Sequence, residues 1–206
     1  MDIKRGIIVS IQGYSQHTTD ELAREAIRAG AVALRLDKPV HIEDAEKVPV
    51  IGLNKVNVER PYHLAYITPD IEHVDKVAEW ADYVAVDFRR LNQDRVAVAE
   101  HCREKGIRLV ADIGEFADYN DAVQKKIEPA FFATTFSVFR ILHAPDKKLI
   151  QMLYDAGARN VIAEGNYSGR DDVHHVFQIG VHAVCIGSAV SNVYKLTRKY
   201  TTIETI

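Results

Sequence analysis

Two periods alternate along the chain. Short runs of β-forming residues are separated by longer stretches in which apolar positions recur every three or four residues. Four boundaries share one junction, a helix-like stretch, a glycine and then a strand-like run. They are Ala29-Gly30-Ala31 before Val32 to Leu36, Lys105-Gly106-Ile107 before Val110, Ala156-Gly157-Ala158 before Val161, and Ile179-Gly180-Val181 before Ile186. A glycine just past a helix end supplies the left-handed turn that closes it. The glycines are 76, 51 and 23 residues apart, close to three, two and one copies of a unit of roughly 25 residues.

Filling in the missing units predicts eight strands: Ile7 to Ile11, Ala31 to Leu36, Val50 to Leu53, Tyr83 to Val86, Ile107 to Ala111, Phe131 to Thr134, Val161 to Ala163 and Ala183 to Ile186. Helices fit between them. Thr18-x-x-Glu21 reads as a capping box, Thr68-Pro69 as a cap before a proline, and Ser168-x-x-Asp171 as the opening of another helix. A short helix is expected over Ile42 to Lys47. Strands alternating with helices require a parallel sheet with right-handed crossovers, and eight units fit a closed (β/α)8 TIM barrel over residues 1–206 as a single domain. An open doubly wound sheet would be marked by a glycine-rich dinucleotide turn, and Gly13 stands alone after the first strand.

Composition narrows the classes. The 206 residues are 47% hydrophobic and 27% charged, enough apolar matter for one large core. The net charge of -3 comes from charges spread along the chain, so nothing asks for nucleic acid. No segment is long and apolar enough to span a bilayer or to serve as a signal-peptide core, and two cysteines, Cys102 and Cys185, fit buried thiols in a reducing compartment. A cytoplasmic location without a membrane partner is expected.

Barrel active sites lie at the carboxyl ends of the strands. The polar residues there are Gln12, Arg35, Lys55, Asp87, Asp112, Thr135 and Glu164, with Gly187-Ser188 after the eighth strand. Alternation puts Ile51, Leu53 and Lys55 on one face, as it does Ala33 with Arg35, Val110 with Asp112, and Ile162 with Glu164. Charges at the edge of an apolar core must pair or hold a charged ligand. Any one of them is explained by an ion pair tying strand ends; the whole set points to a site. Gly165 and Gly187-Ser188, after the last two strands, suit a phosphate, although an ordinary helix cap explains the Gly-Ser pair on spacing alone. His174-His175 lacks the partner a metalloprotease motif needs and no histidine closes a strand, so no metal is expected.

The segments Gly6-Ile-Ile-Val-Ser-Ile-Gln12, Ala33-Leu-Arg35, Pro49-Val-Ile-Gly-Leu-Asn-Lys55, Tyr66-Ile-Thr-Pro69, Ala111-Asp112-Ile113, Thr134-Thr135, Ile162-Ala-Glu-Gly165 and Ile186-Gly-Ser-Ala189 resemble, in order and spacing over nearly the whole chain, the N-acetylmannosamine-6-phosphate 2-epimerase family. The resemblance implies a cofactor-independent (β/α)8 barrel that interconverts N-acetylmannosamine 6-phosphate and N-acetylglucosamine 6-phosphate. Residue by residue, it implies that Lys55 is the acid/base and that Glu164 positions it and the sugar. Gln12, Arg35 and Asp112 would line the substrate, with Gly165, Gly187 and Ser188 at its phosphate end. The expected partners are a small phosphosugar and at most a second copy of the chain.

The chain also departs from that family. Glu164-Gly165 is followed by Asn166 where an arginine is usual, Phe136 to Arg140 rewrite the sixth loop, Lys55 is followed by Val56-Asn57-Val58, and Asp87 by Phe88-Arg89-Arg90. The departures cluster in strand-end loops, as they would in a related enzyme with another phosphosugar substrate. Two other classes stay open: a lyase or aldolase in which Lys55 forms a Schiff base, and a phosphosugar-binding module without catalysis.

Overall fold

In the computed structural model of the chain, residues 1–43, 47–56, 66–67, 71–89, 94–134, 145–165, 167 and 169–191 are described. For Lys55, Val56, Tyr66, Ile67, Ser188 and Ser191 only the backbone is described. The elements in chain order are β1 (Gly6–Ile11), α1 (Gln16–Arg28), β2 (Ala33–Leu36), β3 (Val50–Gly52), β4 (Lys55–Val56), β5 (Tyr66–Ile67), α2 (Ile71–Ala78), β6 (Tyr83–Asp87), α3 (Arg95–Glu104), β7 (Arg108–Asp112), α4 (Phe116–Gln124), β8 (Phe131–Ala133), α5 (Lys147–Asp155), β9 (Val161–Glu164), α6 (Arg170–Ile179), β10 (Ala183–Ile186) and α7 (Ser188–Ser191).

Eight of the strands close a parallel barrel in the order β1-β10-β9-β8-β7-β6-β3-β2, while β4 and β5 form a separate two-stranded antiparallel ribbon. All eight expected strands are present, and the first pairs with the last through Gly6↔Ala183 to Val9↔Ile186.

Strand alternation sorts the core into two shells. Ile8, Ala33, Ile51, Leu53, Ala85, Val110, Ala133, Ile162 and Ala183 cluster inside the barrel. The intervening Val84, Val86, Leu109, Ala111, Ala163 and Val184 join the outer shell under the helices. Within the barrel, alanines come from every second strand (β2, β6, β8 and β10), and branched residues come from β1, β3, β7 and β9 between them. Small and large residues thereby share a narrow lumen.

The glycine junctions are helix exits. Gly30, Gly106, Gly157 and Gly180 all have positive φ. In all four the glycine N–H returns to the carbonyl three residues back and the next N–H to the one five back, as in Gly106 to Arg103 and Ile107 to Cys102. A fifth copy follows α4, where Lys126 adopts φ 56° and Ile127 N–H reaches the Ala122 carbonyl. A lysine in the glycine position hid this junction from the sequence pattern.

Three local expectations change. The cap of α1 is Ser15, whose Oγ accepts from Thr18 N–H at 3.2 Å, so Thr18 lies one turn inside the helix. The cap of α6 is Gly169, and Ser168 lies outside the described residues. The third barrel strand ends at Gly52, so Lys55 does not close it and instead opens the ribbon as Lys55↔Ile67. Thr68-Pro69, Thr135 and half of the helix expected over 42–47 also fall outside the described residues. No described helix is long and apolar enough to cross a membrane.

Candidate active site

The carboxyl end of the barrel gathers buried charge. Arg35 on β2 extends across the lumen to β7 and β9. Its Nη2 donates to Asp112 Oδ2 at 2.6 Å, its Nη1 donates to Asp112 Oδ1 at 3.4 Å, and Nη1 also donates to Glu164 Oε1. Arg35 is 1% exposed, Asp112 0% and Glu164 6%. Only the inward alternation of the three strands allows this, because Ala33, Val110 and Ile162, two residues earlier on each strand, already face the lumen.

The three side chains depend on one another. Burial alone would drive the Arg35 proton off, but the charges of Asp112 and Glu164 outweigh it and hold the guanidinium charged well beyond its ordinary range. Burial, opposed by Arg35 and reinforced by Glu164, leaves the Asp112 carboxyl pushed up to about 7. A lone ion buried here would be costly; a guanidinium fork shared by two carboxylates is the arrangement that lets all three stay.

Two further groups fix the rim. Thr134 Oγ1 accepts from Glu164 N–H at 3.0 Å and donates to the Glu164 carbonyl at 3.4 Å, locking the end of β8 to that of β9. Asp87, the Cα partner of Asp112, is held by Arg89, whose Nε and Nη2 meet its two oxygens at 3.1 Å. Beneath them, Arg95 donates to the Phe88 carbonyl, to Asp118 Oδ1 at 3.0 Å and to Asp121 Oδ2 at 2.6 Å. Asp118 Oδ2 in turn accepts from the amides of Gly114 and Glu115. The turns after β6 and β7 are thus clamped to each other.

The structure brings together Arg35, Asp112 and Glu164 of the residues singled out from the sequence. Gln12 is half-buried at the end of β1 and donates to Ser10 Oγ at 2.7 Å. Gly165 and Gly187 follow adjacent strands, since Cys185 on β10 pairs with Glu164 on β9, and α7 begins at Ser188. Lys55 is placed by its backbone alone. Thr134 and Arg89 were missed as site residues. Thr134 stood beside the chosen Thr135, and Arg89 lies two residues past Asp87 in the turn after β6. Among the described residues no group of three or more His, Cys, Asp or Glu side chains is arranged to hold a metal ion. Both cysteines are buried, and burial pushes the Cys102 thiol up to about 12.

The family model described as "NanE: Putative N-acetylmannosamine-6-phosphate epimerase" matches residues 19–205. The chain belongs to the NanE family. Its relatives include the "Putative N-acetylmannosamine-6-phosphate 2-epimerase" of Clostridioides difficile strain 630, 29% identical over 96% of this chain and 95% of the relative. A protein of the same description from Klebsiella pneumoniae is 31% identical over 96% of this chain and 88% of the relative. The solved N-acetylmannosamine-6-phosphate 2-epimerase from Clostridium perfringens superposes with a TM-score of 0.83 at 24% identity, covering 98% of this chain and 94% of that one. That likeness establishes the shared barrel. NanE family members carry the name of epimerases, which are isomerases by class, and in this NanE chain the buried charge cluster occupies the end of the barrel where such enzymes work.

Proposed function

We propose that the chain is a 2-epimerase of a phosphorylated amino sugar, with N-acetylmannosamine 6-phosphate as the first candidate substrate and a different phosphosugar close behind. The observation that carries the reading is the Arg35–Asp112–Glu164 cluster, built at the catalytic end of a barrel whose family is named for that reaction. In the open-chain sugar the C1 carbonyl acidifies the C2 proton. Lys55, as the neutral amine, removes that proton and leaves its electron pair delocalised onto the carbonyl oxygen. A proton delivered to the opposite face of C2 then completes the inversion. Glu164, its Oε1 fixed by Arg35, orients the lysine and the sugar. Gln12 and Asp112 line the substrate, and the turns at Gly165, Gly187 and Ser188 take the phosphate on their amides. The scheme balances with one proton out and one in, and asks for no cofactor. A substrate phosphorylated by the cell fits the expected cytoplasmic location.

Asn166 and Phe136 to Arg140, outside the described residues, shift the preference. A missing charge-assisted contact to the phosphate typically costs ~1.5–3 kcal/mol, so turnover of N-acetylmannosamine 6-phosphate is expected below ~10⁴ M⁻¹s⁻¹ in kcat/KM. The test is proton NMR in deuterium oxide. The parental protein should exchange deuterium into C2 as the second epimer appears, and Lys55→Ala should do neither while keeping its circular dichroism. An unreactive parent, or an exchanging Lys55→Ala, overturns the reading.

A further inference from the structure

The ion pair at the end of β6 is left unused by the proposed chemistry. Tyr83 and Ala85 on β6 belong to the cluster inside the barrel, so Asp87, two residues on, meets the carboxyl end of the lumen. Asp87 is 1% exposed, stands across from Asp112 in the ladder and helps to raise the Asp112 carboxyl. Arg89 closes over it. The Arg89 amide and Nε both donate to Asp87 Oδ1 and Nη2 donates to Oδ2, each at 3.1 Å. The carboxylate therefore holds the Nε–Nη2 edge of the guanidinium over the lumen, and the Nη1 end leads away from that edge. With 22% of its side chain exposed, Arg89 can be reached from the mouth of the barrel while Asp87 beneath it cannot.

We propose that Arg89 is a specificity-determining residue that donates a hydrogen bond to the carbonyl oxygen of an acyl group on the C2 nitrogen of the sugar phosphate. The proposal rests on the proposed function for the direction in which the sugar lies, and the strand order supplies the rest. β6 is four strands from β10 in a closed barrel of eight, so the turn carrying Arg89 faces the one at Gly187 across the mouth. On one side β6 pairs with β3, and Lys55 comes three residues after the end of β3. A sugar with its phosphate at Gly165 and Gly187 and its C2 at Lys55 therefore carries its C2 substituent toward the turn after β6. The charge of Arg89 is already matched by Asp87, and the neighbouring cluster holds one cation to two carboxylates. An uncharged oxygen suits that mouth better than a second anion, and a free C2 ammonium would be set against the guanidinium. Arg89 therefore selects N-acylated amino sugar phosphates over those with a bare amine or a hydroxyl at C2.

Two variants separate this role from the ion pair. Arg89→Lys keeps a cation for Asp87 without the fork. Asp87→Asn combined with Arg89→Met removes both charges together, so neither variant leaves a buried carboxylate unpaired. The probes are N-acetylmannosamine 6-phosphate and mannose 6-phosphate, which has a hydroxyl at C2, with apparent Kd read from ligand-dependent thermal stabilisation. Both variants should bind N-acetylmannosamine 6-phosphate about tenfold more weakly than the parent and mannose 6-phosphate within about twofold of it. An equal loss for the two sugars overturns the proposal and leaves Arg89 a partner of Asp87 alone. Parental affinity for both, or a parent that binds neither, overturns it as well. Turnover is scored separately. A parent that binds N-acetylmannosamine 6-phosphate without epimerising it overturns the proposed function, and the two affinities still decide Arg89. A parent that epimerises it, with variants of parental affinity, overturns Arg89 alone.

Discussion

The two ends of the barrel solve opposite problems with similar residues. At the amino end, Ile3 is buried under the first residues of the strands. The Tyr83 hydroxyl accepts from the Ile3 amide at 3.3 Å and donates to the Met1 carbonyl at 3.1 Å. His182 meets the Ile3 carbonyl at 2.8 Å and packs its ring 5.1 Å from that of Phe131, while Arg108 lies 3.8 Å over the Tyr83 ring. The buried polar groups there bond to backbone, and the charges, Arg108 paired with Asp2 and the N-terminal ammonium paired with Asp82, are all at least partly exposed, the Arg108 side chain at 35%. At the carboxyl end the cation is 1% exposed and is held between two carboxylates almost as deeply buried. An apolar plug stabilises without needing a ligand. A buried ion cluster of that kind is no stronger than a well-packed apolar core, so its presence at one end and not the other fits the proposed division between an end that does chemistry and an end that holds the fold.

Breaking the carboxyl end has the largest expected effect. Arg35→Ala leaves Asp112 and Glu164 buried without their cation and should cost about 3–5 kcal/mol in a denaturant titration. Adding Asp112→Asn and Glu164→Gln to the same chain should recover much of that loss, without activity. No recovery would mean that packing, rather than charge, explains the effect. At the amino end, Ile3→Ala should cost about 2 kcal/mol or more and leave kcat and KM for N-acetylmannosamine 6-phosphate at parental values. A changed kcat would show that the two ends are coupled and would dissolve the distinction.

The third effect is a slope. Because the folded chain holds the Asp112 carboxyl above its unfolded value of about 3.9, the folded state binds that proton more tightly than the unfolded one. The stability this contributes is fully present below the unfolded value and is lost as pH rises through about 7. The stability of the parent relative to Asp112→Asn should therefore fall between pH 4 and pH 8. The gap between the parent and Ile3→Ala should stay level over the same range. A parent-to-Asp112→Asn gap that is also level would place the Asp112 titration elsewhere.

The sequence carried the barrel because its evidence is local and repeated: glycine helix exits, short β-forming runs and a unit of constant length. Even the convergence of Arg35, Asp112 and Glu164 was legible, since period-two alternation tells which residues at a strand end turn inward. Which charge meets which was not, because that depends on distances across a closed lumen that no local pattern encodes. The cap of α1 was misplaced by one turn because Ser15, Thr18 and Thr19 crowd three hydroxyls into five positions, each a plausible cap. Lys55 was read onto the third strand because its parity matches Ile51 and Leu53, and a two-residue ribbon leaves no periodic trace.

The closure of the barrel has a consequence in time. Gly6 and Ala183, which pair across the seam, are about 180 residues apart, so the first strand has one of its two neighbours only after nearly all of the chain has been made. At ~5–20 residues per second of synthesis, that edge waits on the order of ten seconds or more with its N–H and C=O groups unpaired, and its final pairing carries the highest loop-closure entropy in the fold. A nascent chain paused late in translation exposes Ile7 to Ile11 as an open strand edge, and chaperone capture or aggregation at that edge competes with closure.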